Sequence, residues 1–132
     1  MAQVPKTAAG FVKDFTALQR GKDQKNMLTY LQHIPTKTIE TYFKRTEVEA
    51  EVFSAIMETI KFGVLSNDDI SKWAASFLVS LSKADNFELT LSFAEDEDRT
   101  NIETVIKSLQ KSKDDTVVSN LVQIQAKFVD EA

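Results

Sequence analysis

Apolar residues recur three and four positions apart along most of this chain, the spacing of helices that bury one face. From Thr7 onward Phe11, Phe15 and Leu18 share a face, and Gly21 is placed to stop the helix. Asp23 is positioned to cap a second helix with Met27, Leu28, Leu31 and Ile34 on its apolar face and Tyr30 flanking; Pro35 ends it. A shorter helix, Thr36 to Lys44, carries Ile39, Tyr42 and Phe43. The stretch TEVE, Thr46 to Glu49, has the form of a capping box, and Val48, Val52, Phe53, Ile56, Met57 and Ile60 follow at helical spacing until Gly63. That helix is expected at the centre. Ser66, Asn67, Asp68 and Asp69 then supply caps and negative charge ahead of Ile70, Trp73, Ala74, Phe77, Leu78 and Leu81, with Trp73 expected in the core. Ile102, Val105, Ile106 and Leu109 mark another helix, Gln110 to Asp115 read as a link, and Val117, Leu121, Ile124 and Phe128 make the last.

One stretch breaks the pattern. In NFELTLSFAEDED, Asn86 to Asp98, the apolar Phe87, Leu89, Leu91 and Phe93 alternate with Glu88, Thr90 and Ser92, the period of a half-buried strand. A lone strand among helices would leave its backbone donors and acceptors without a ladder partner, so helix is the better reading. At about 100° per residue, Phe87, Leu91 and Ala94 form one stripe, and Leu89 and Phe93 form a second nearly opposite, beside Asn86. A helix apolar on two sides is either sandwiched within its own fold or holds one face for something else. In the second case Leu89 and Phe93 are exposed anchors, each worth roughly 1.5 to 3 kcal/mol on burial by a partner.

The expected fold is all-α: a compact, right-handed bundle of about seven or eight short antiparallel helices with α-solenoid-like character. Residues 1–6 read as a linker tail and 7–130 as a single domain. Sparse glycine and proline, 3 and 2 in 132 residues, agree with helices joined by short polar links. A hydrophobic content of 42% is enough to build a core in a chain of this length.

Composition removes several kinds of function. There is no cysteine, so disulfides, thiol nucleophiles and thiolate metal sites are excluded for this sequence. A net charge of −4 with scattered basic residues argues against nucleic acid as a partner. No apolar run reaches the roughly 20 residues of a membrane span, and MAQVPKTAAG lacks a signal-peptide core. The only histidine, His33, is expected at a helix end, where it favours the dipole and has no partner for metal binding. AEDED, Ala94 to Asp98, lacks the glycine and ligand spacing of a calcium loop and reads as a helix N-terminus, or as attraction for a basic partner surface. No phosphate loop, nucleophile elbow or acid–base pair is present, so no catalytic residue, metal or cofactor is expected.

The segments FVKDFTALQ, MLTYLQHI and EVFSAIMETI, and above all LVSLSKADNFELTLSFAEDEDRTNIETVI from Leu78 to Ile106, resemble the C-terminal domain shared by RNA polymerase II-associated protein 3, sperm-associated antigen 1 and related proteins. The resemblance runs from about Phe11 to Leu109; the helix Val117 to Val129 is matched weakly. It implies a noncatalytic adaptor module. In that family the domain follows tetratricopeptide repeats that hold heat-shock proteins 90 and 70, and it docks on RuvB-like AAA+ ATPases, reptin and pontin, during assembly of large complexes. The family's contact positions match Asn86, Leu89 and Phe93, the members of the second stripe, although relatives usually carry arginine where Asn86 stands. Glu95 and Asp96 are expected as a polar rim. The resemblance further implies an adaptor of the cytoplasm, with the nucleus as a second location, or, in the sperm-antigen branch, attachment to axonemal dynein assembly. A bundle with a two-sided helix could instead carry a small apolar ligand.

Overall fold

Thr7 and Asp23 begin the first two helices through their side chains: Thr7 Oγ1 accepts from the Gly10 amide at 3.1 Å and Asp23 Oδ1 from the Asn26 amide at 3.1 Å. These open α1 (Ala8–Arg20) and α2 (Gln24–His33) in a computed structural model that describes residues 4–129. There follow α3 (Thr36–Tyr42), α4 (Ala50–Ser66), a 3-10 turn (Asp68–Ile70), α5 (Ser71–Leu81), α6 (Phe87–Ser92), α7 (Asp96–Gln110) and α8 (Asp115–Phe128). Among the described residues there is no strand, so the all-α expectation holds, and NFELTLSF is a helix. The domain limit expected at residue 130 and the first three residues of the expected tail lie outside the described residues.

The core forms around α4, which buries Val52, Phe53, Ile56, Met57, Ile60 and Val64. α1, α2, α6 and α7 pack against it, α3 and α8 pack against α5, and α8 also lies along α7. α7 thus returns to α4 and α8 to α5, the packing of a bundle. At the opposite end, Phe11 stacks on Phe15, Tyr30 and Tyr42 and meets Phe43 edge-on, at centroid distances of 5.6 to 6.0 Å. Tyr30, expected at the flank, is buried, and its hydroxyl donates to Asp14 Oδ2 at 3.1 Å. Burial, and then the Asp14 carboxylate, push its phenol well above the usual value, so it stays neutral. Where the sequence suggests linker, Val4 packs partly buried on the core and the Tyr42 hydroxyl donates to the Pro5 carbonyl.

Three local expectations are corrected. TEVE forms no capping box: α4 begins at Ala50, Glu49 makes no side-chain cap, and residues 47–49 form no regular secondary structure, with Val48 buried. The reciprocal box lies instead at Glu95 and Asp98, which open α7. Gly63 does not end α4, which continues to Ser66. It is buried inside the helix, where a Cβ would stand 3.0 and 3.1 Å from the two Leu28 methyls of α2, so glycine permits the close approach of these helices. Trp73 is half-buried against Phe77 rather than fully in the core.

The Leu28 contact yields a prediction. Gly63→Val should destabilise the fold by about 1–3 kcal/mol through overpacking. Gly63→Ala should be closer to neutral, because helix propensity returns about 1 kcal/mol. Urea denaturation of both variants checks this; a valine variant as stable as the parent would show that α2 and α4 are not in close contact here.

Candidate protein-docking site

α6 has six residues, far too few to be stable by itself, so its position must come from tertiary contacts. Its entry is set by Asn86, whose backbone at φ 53° and ψ 40° lies in the left-handed region that asparagine tolerates better than most residues. This turns the chain so that Phe87 points inward. Phe87 packs edge-on between Phe53 of α4 and Phe128 of α8, at centroid distances of 5.9 and 5.1 Å. One turn on, the buried Thr90 hydroxyl donates to the Val48 carbonyl at 2.8 Å, pinning the 47–49 segment to α6. At the far end the Arg99 guanidinium donates to the Leu91 carbonyl at 3.3 Å, linking α6 to α7.

Every one of these contacts uses the face of Phe87, Thr90 and Leu91. The other face stays open: Leu89 is 46% exposed and Phe93 63% exposed. Asn86 stands beside them, with its amide donating to Glu47 Oε2 at 2.8 Å. Leu89, Thr90 and Phe93 form one wall of a groove whose other wall is Glu47, Val48, Glu49 and Ala50. The helix is therefore one-sided in its packing, and the pair expected on its outer stripe lies at the surface.

Glu95 and Asp96 occupy a different place. Glu95 caps α7, its backbone amide donating to Asp98 Oδ2 at 3.0 Å, and Asp96 follows it, exposed, in the first turn. Neither lines the groove, which takes its carboxylates from Glu47 and Glu49. Reading TEVE as a helix start hides the role of those two residues. The available signal was the alternation Glu47, Val48, Glu49, a short period-two segment whose central apolar residue faces in.

Other apolar side chains also reach solvent: Phe62 and Leu65 on α4, and Val118 and Val122 on α8. They show that exposure alone does not single out α6; what marks it is a pair of exposed apolar side chains one turn apart beside a groove. A wider open groove between α7 and α8 is lined by Ile102, Ile106, Phe128 and Val129 with Arg99 and Lys107 at its edge. Among the described residues no cluster of histidine or carboxylate side chains is arranged to hold a metal ion, and no helix is long and apolar enough to cross a membrane.

An all-α bundle with an apolar pair beside a surface groove is the architecture of a binding domain. The family described as "Potential Monad-binding region of RPAP3" matches residues 4–99, most of the 132-residue chain, and the chain belongs to that family. The match spans α1 to α6 and the first turn of α7, and so includes the whole groove. Its description is of a region that binds a partner, not of a catalytic one. No curated protein and no solved structure matches the chain.

The buried hydroxyl supports a stability prediction. Thr90→Val keeps the side-chain shape but leaves the Val48 carbonyl without its donor, and should cost about 1–3 kcal/mol in chemical denaturation. Thr90→Ser should recover most of that loss. Equal stability of the valine variant and the parent would mean that the 47–49 segment is not held through this bond.

Proposed function

We propose that the chain is a noncatalytic interaction module that docks a protein partner on the face of Leu89 and Phe93, and that the partner is a RuvB-like AAA+ ATPase, reptin or pontin. On this reading the module couples the ATPase to heat-shock proteins 90 and 70, held by repeats elsewhere in an adaptor of the cytoplasm and nucleus, during assembly of large complexes. The observation that carries it is the pair itself: two large apolar side chains, 46% and 63% exposed, set one helical turn apart on a helix whose other face is fixed. Covering what remains exposed would contribute roughly 1 to 2 kcal/mol per residue, so that the two together reach the size of a hot spot. Membership in a family described as a binding region supports the same class of function. Asn86 serves as a polar neighbour of the apolar pair, and Glu95 and Asp96, at the start of α7 outside the groove, as an outer polar rim.

The family's description favours a second reading, in which the partner is Monad, the protein it names for RPAP3. Both partners are tested together. Binding of the purified domain to RuvB-like hexamers and to Monad is measured by interferometry, with the Leu89→Glu and Phe93→Glu double variant alongside. The double variant should weaken the bound partner more than about tenfold, while its melting temperature stays close to that of the parent. Unchanged affinity would contradict docking at this face, and a collapsed melting transition would show that the face belongs to the core.

A further inference from the structure

We infer that the partner is basic as well as apolar, presenting a lysine or arginine beside the side chain that contacts Leu89 and Phe93. This inference rests on the reading of that face as the docking surface, but not on which protein occupies it. The groove is lined by two carboxylates, Glu47 and Glu49, and by no lysine, arginine or histidine. Its remaining lining is Val48, Ala50, Leu89, Thr90 and Phe93. Among the described residues the ion pairs are Lys83 with Glu40 and Lys107 with Glu103, so neither groove carboxylate is neutralised from within the chain. Lys6 and Lys13 line a neighbouring depression that shares Glu47 and Glu49, yet neither comes within ion-pair distance of them.

Two details make these charges part of the surface. Glu49 stands at the N-cap of α4 but makes no side-chain cap, so its carboxylate is not used by the helix. Glu47 is held in place by the Asn86 amide, a neutral donor that orients the carboxylate and leaves its charge intact. A partner that covers Leu89 and Phe93 draws water away from both carboxylates. With an acidic partner they repel, and with a purely apolar one they are desolvated without compensation. A cationic group beside the apolar contact repays that cost best, because two carboxylates face it, and charge complementarity of this kind selects the partner more than it tightens it.

The test uses the domain with three fluorescein-labelled amphipathic peptides of one length and one leucine–phenylalanine pattern, whose polar positions are all lysine and arginine, all glutamate, or all serine. Fluorescence anisotropy should show saturable binding of the basic peptide, weakening with added salt. The Glu47→Gln and Glu49→Gln double variant should bind it about fivefold more weakly, as expected for two rim ion pairs. Glu58→Gln with Glu103→Gln, which makes the same change in net charge away from the groove, should leave affinity unchanged. Leu89→Glu with Phe93→Glu should abolish binding, placing the peptide at the groove. Absence of binding by the basic peptide, equal binding of the serine or glutamate peptide, or equal losses in the two glutamine double variants would overturn the inference. Because no ATPase or Monad enters this assay, it can fail while either is shown to bind, and succeed while neither does.

Discussion

The aromatic contact of Phe87 with Phe53 and Phe128 is the constraint on which the rest of this surface depends. It joins α6 to both α4 and α8, and it fixes the rotation of a helix that has no stability of its own. With that rotation set, Thr90 falls against the Val48 carbonyl and Leu91 against the α7 side, and Leu89 and Phe93 have nowhere to go but outward. Exposure of the pair is thus a geometric consequence of burying Phe87, not a separate feature. The hydrogen bond at Thr90 carries the same constraint into the 47–49 segment, whose carboxylates form the opposite wall of the groove.

Asn86 brings several of these roles to one position. Its left-handed backbone allows the sharp entry into α6, and its side chain reaches across to Glu47. Where an arginine would present a cation, this asparagine presents a neutral amide tied to a carboxylate. The local balance of charge beside the apolar pair is acidic, since the groove is lined by Glu47 and Glu49 and by no cation. Family membership and surface chemistry therefore act at different levels: the first rests on the run of helices from α1 to the start of α7, the second on a few side chains at one edge.

Much of this was legible in the chain because helical periodicity is a strong signal over ten or more residues. The faces of α1, α2, α4, α5, α7 and α8 follow from their apolar spacing, and the caps at Thr7 and Asp23 from their residue types. Separating the alternation of Phe87 to Phe93 into two helical stripes placed the exposed pair, because a six-residue helix still keeps the 100° step. What stayed hidden depended on contacts between distant segments. TEVE satisfies the pattern of a capping box, yet the need to bury Val48 and to satisfy its carbonyl through Thr90 keeps it out of the helix. Gly63 looks like a helix stop, and only the Leu28 methyls of another helix explain a glycine inside one. The groove itself joins residues some forty positions apart, which no local pattern reveals.

The account turns on α6 having one face sealed by its own fold and one face free. A chain with no cysteine makes this directly measurable by introducing single thiols, Phe87→Cys, Thr90→Cys, Leu89→Cys and Phe93→Cys, and timing their reaction with a disulfide reagent under native conditions. Thiols at 89 and 93 should react at nearly the rate of an unfolded control, while those at 87 and 90 should react only as fast as the protein opens. Comparable protection at all four positions would contradict the account.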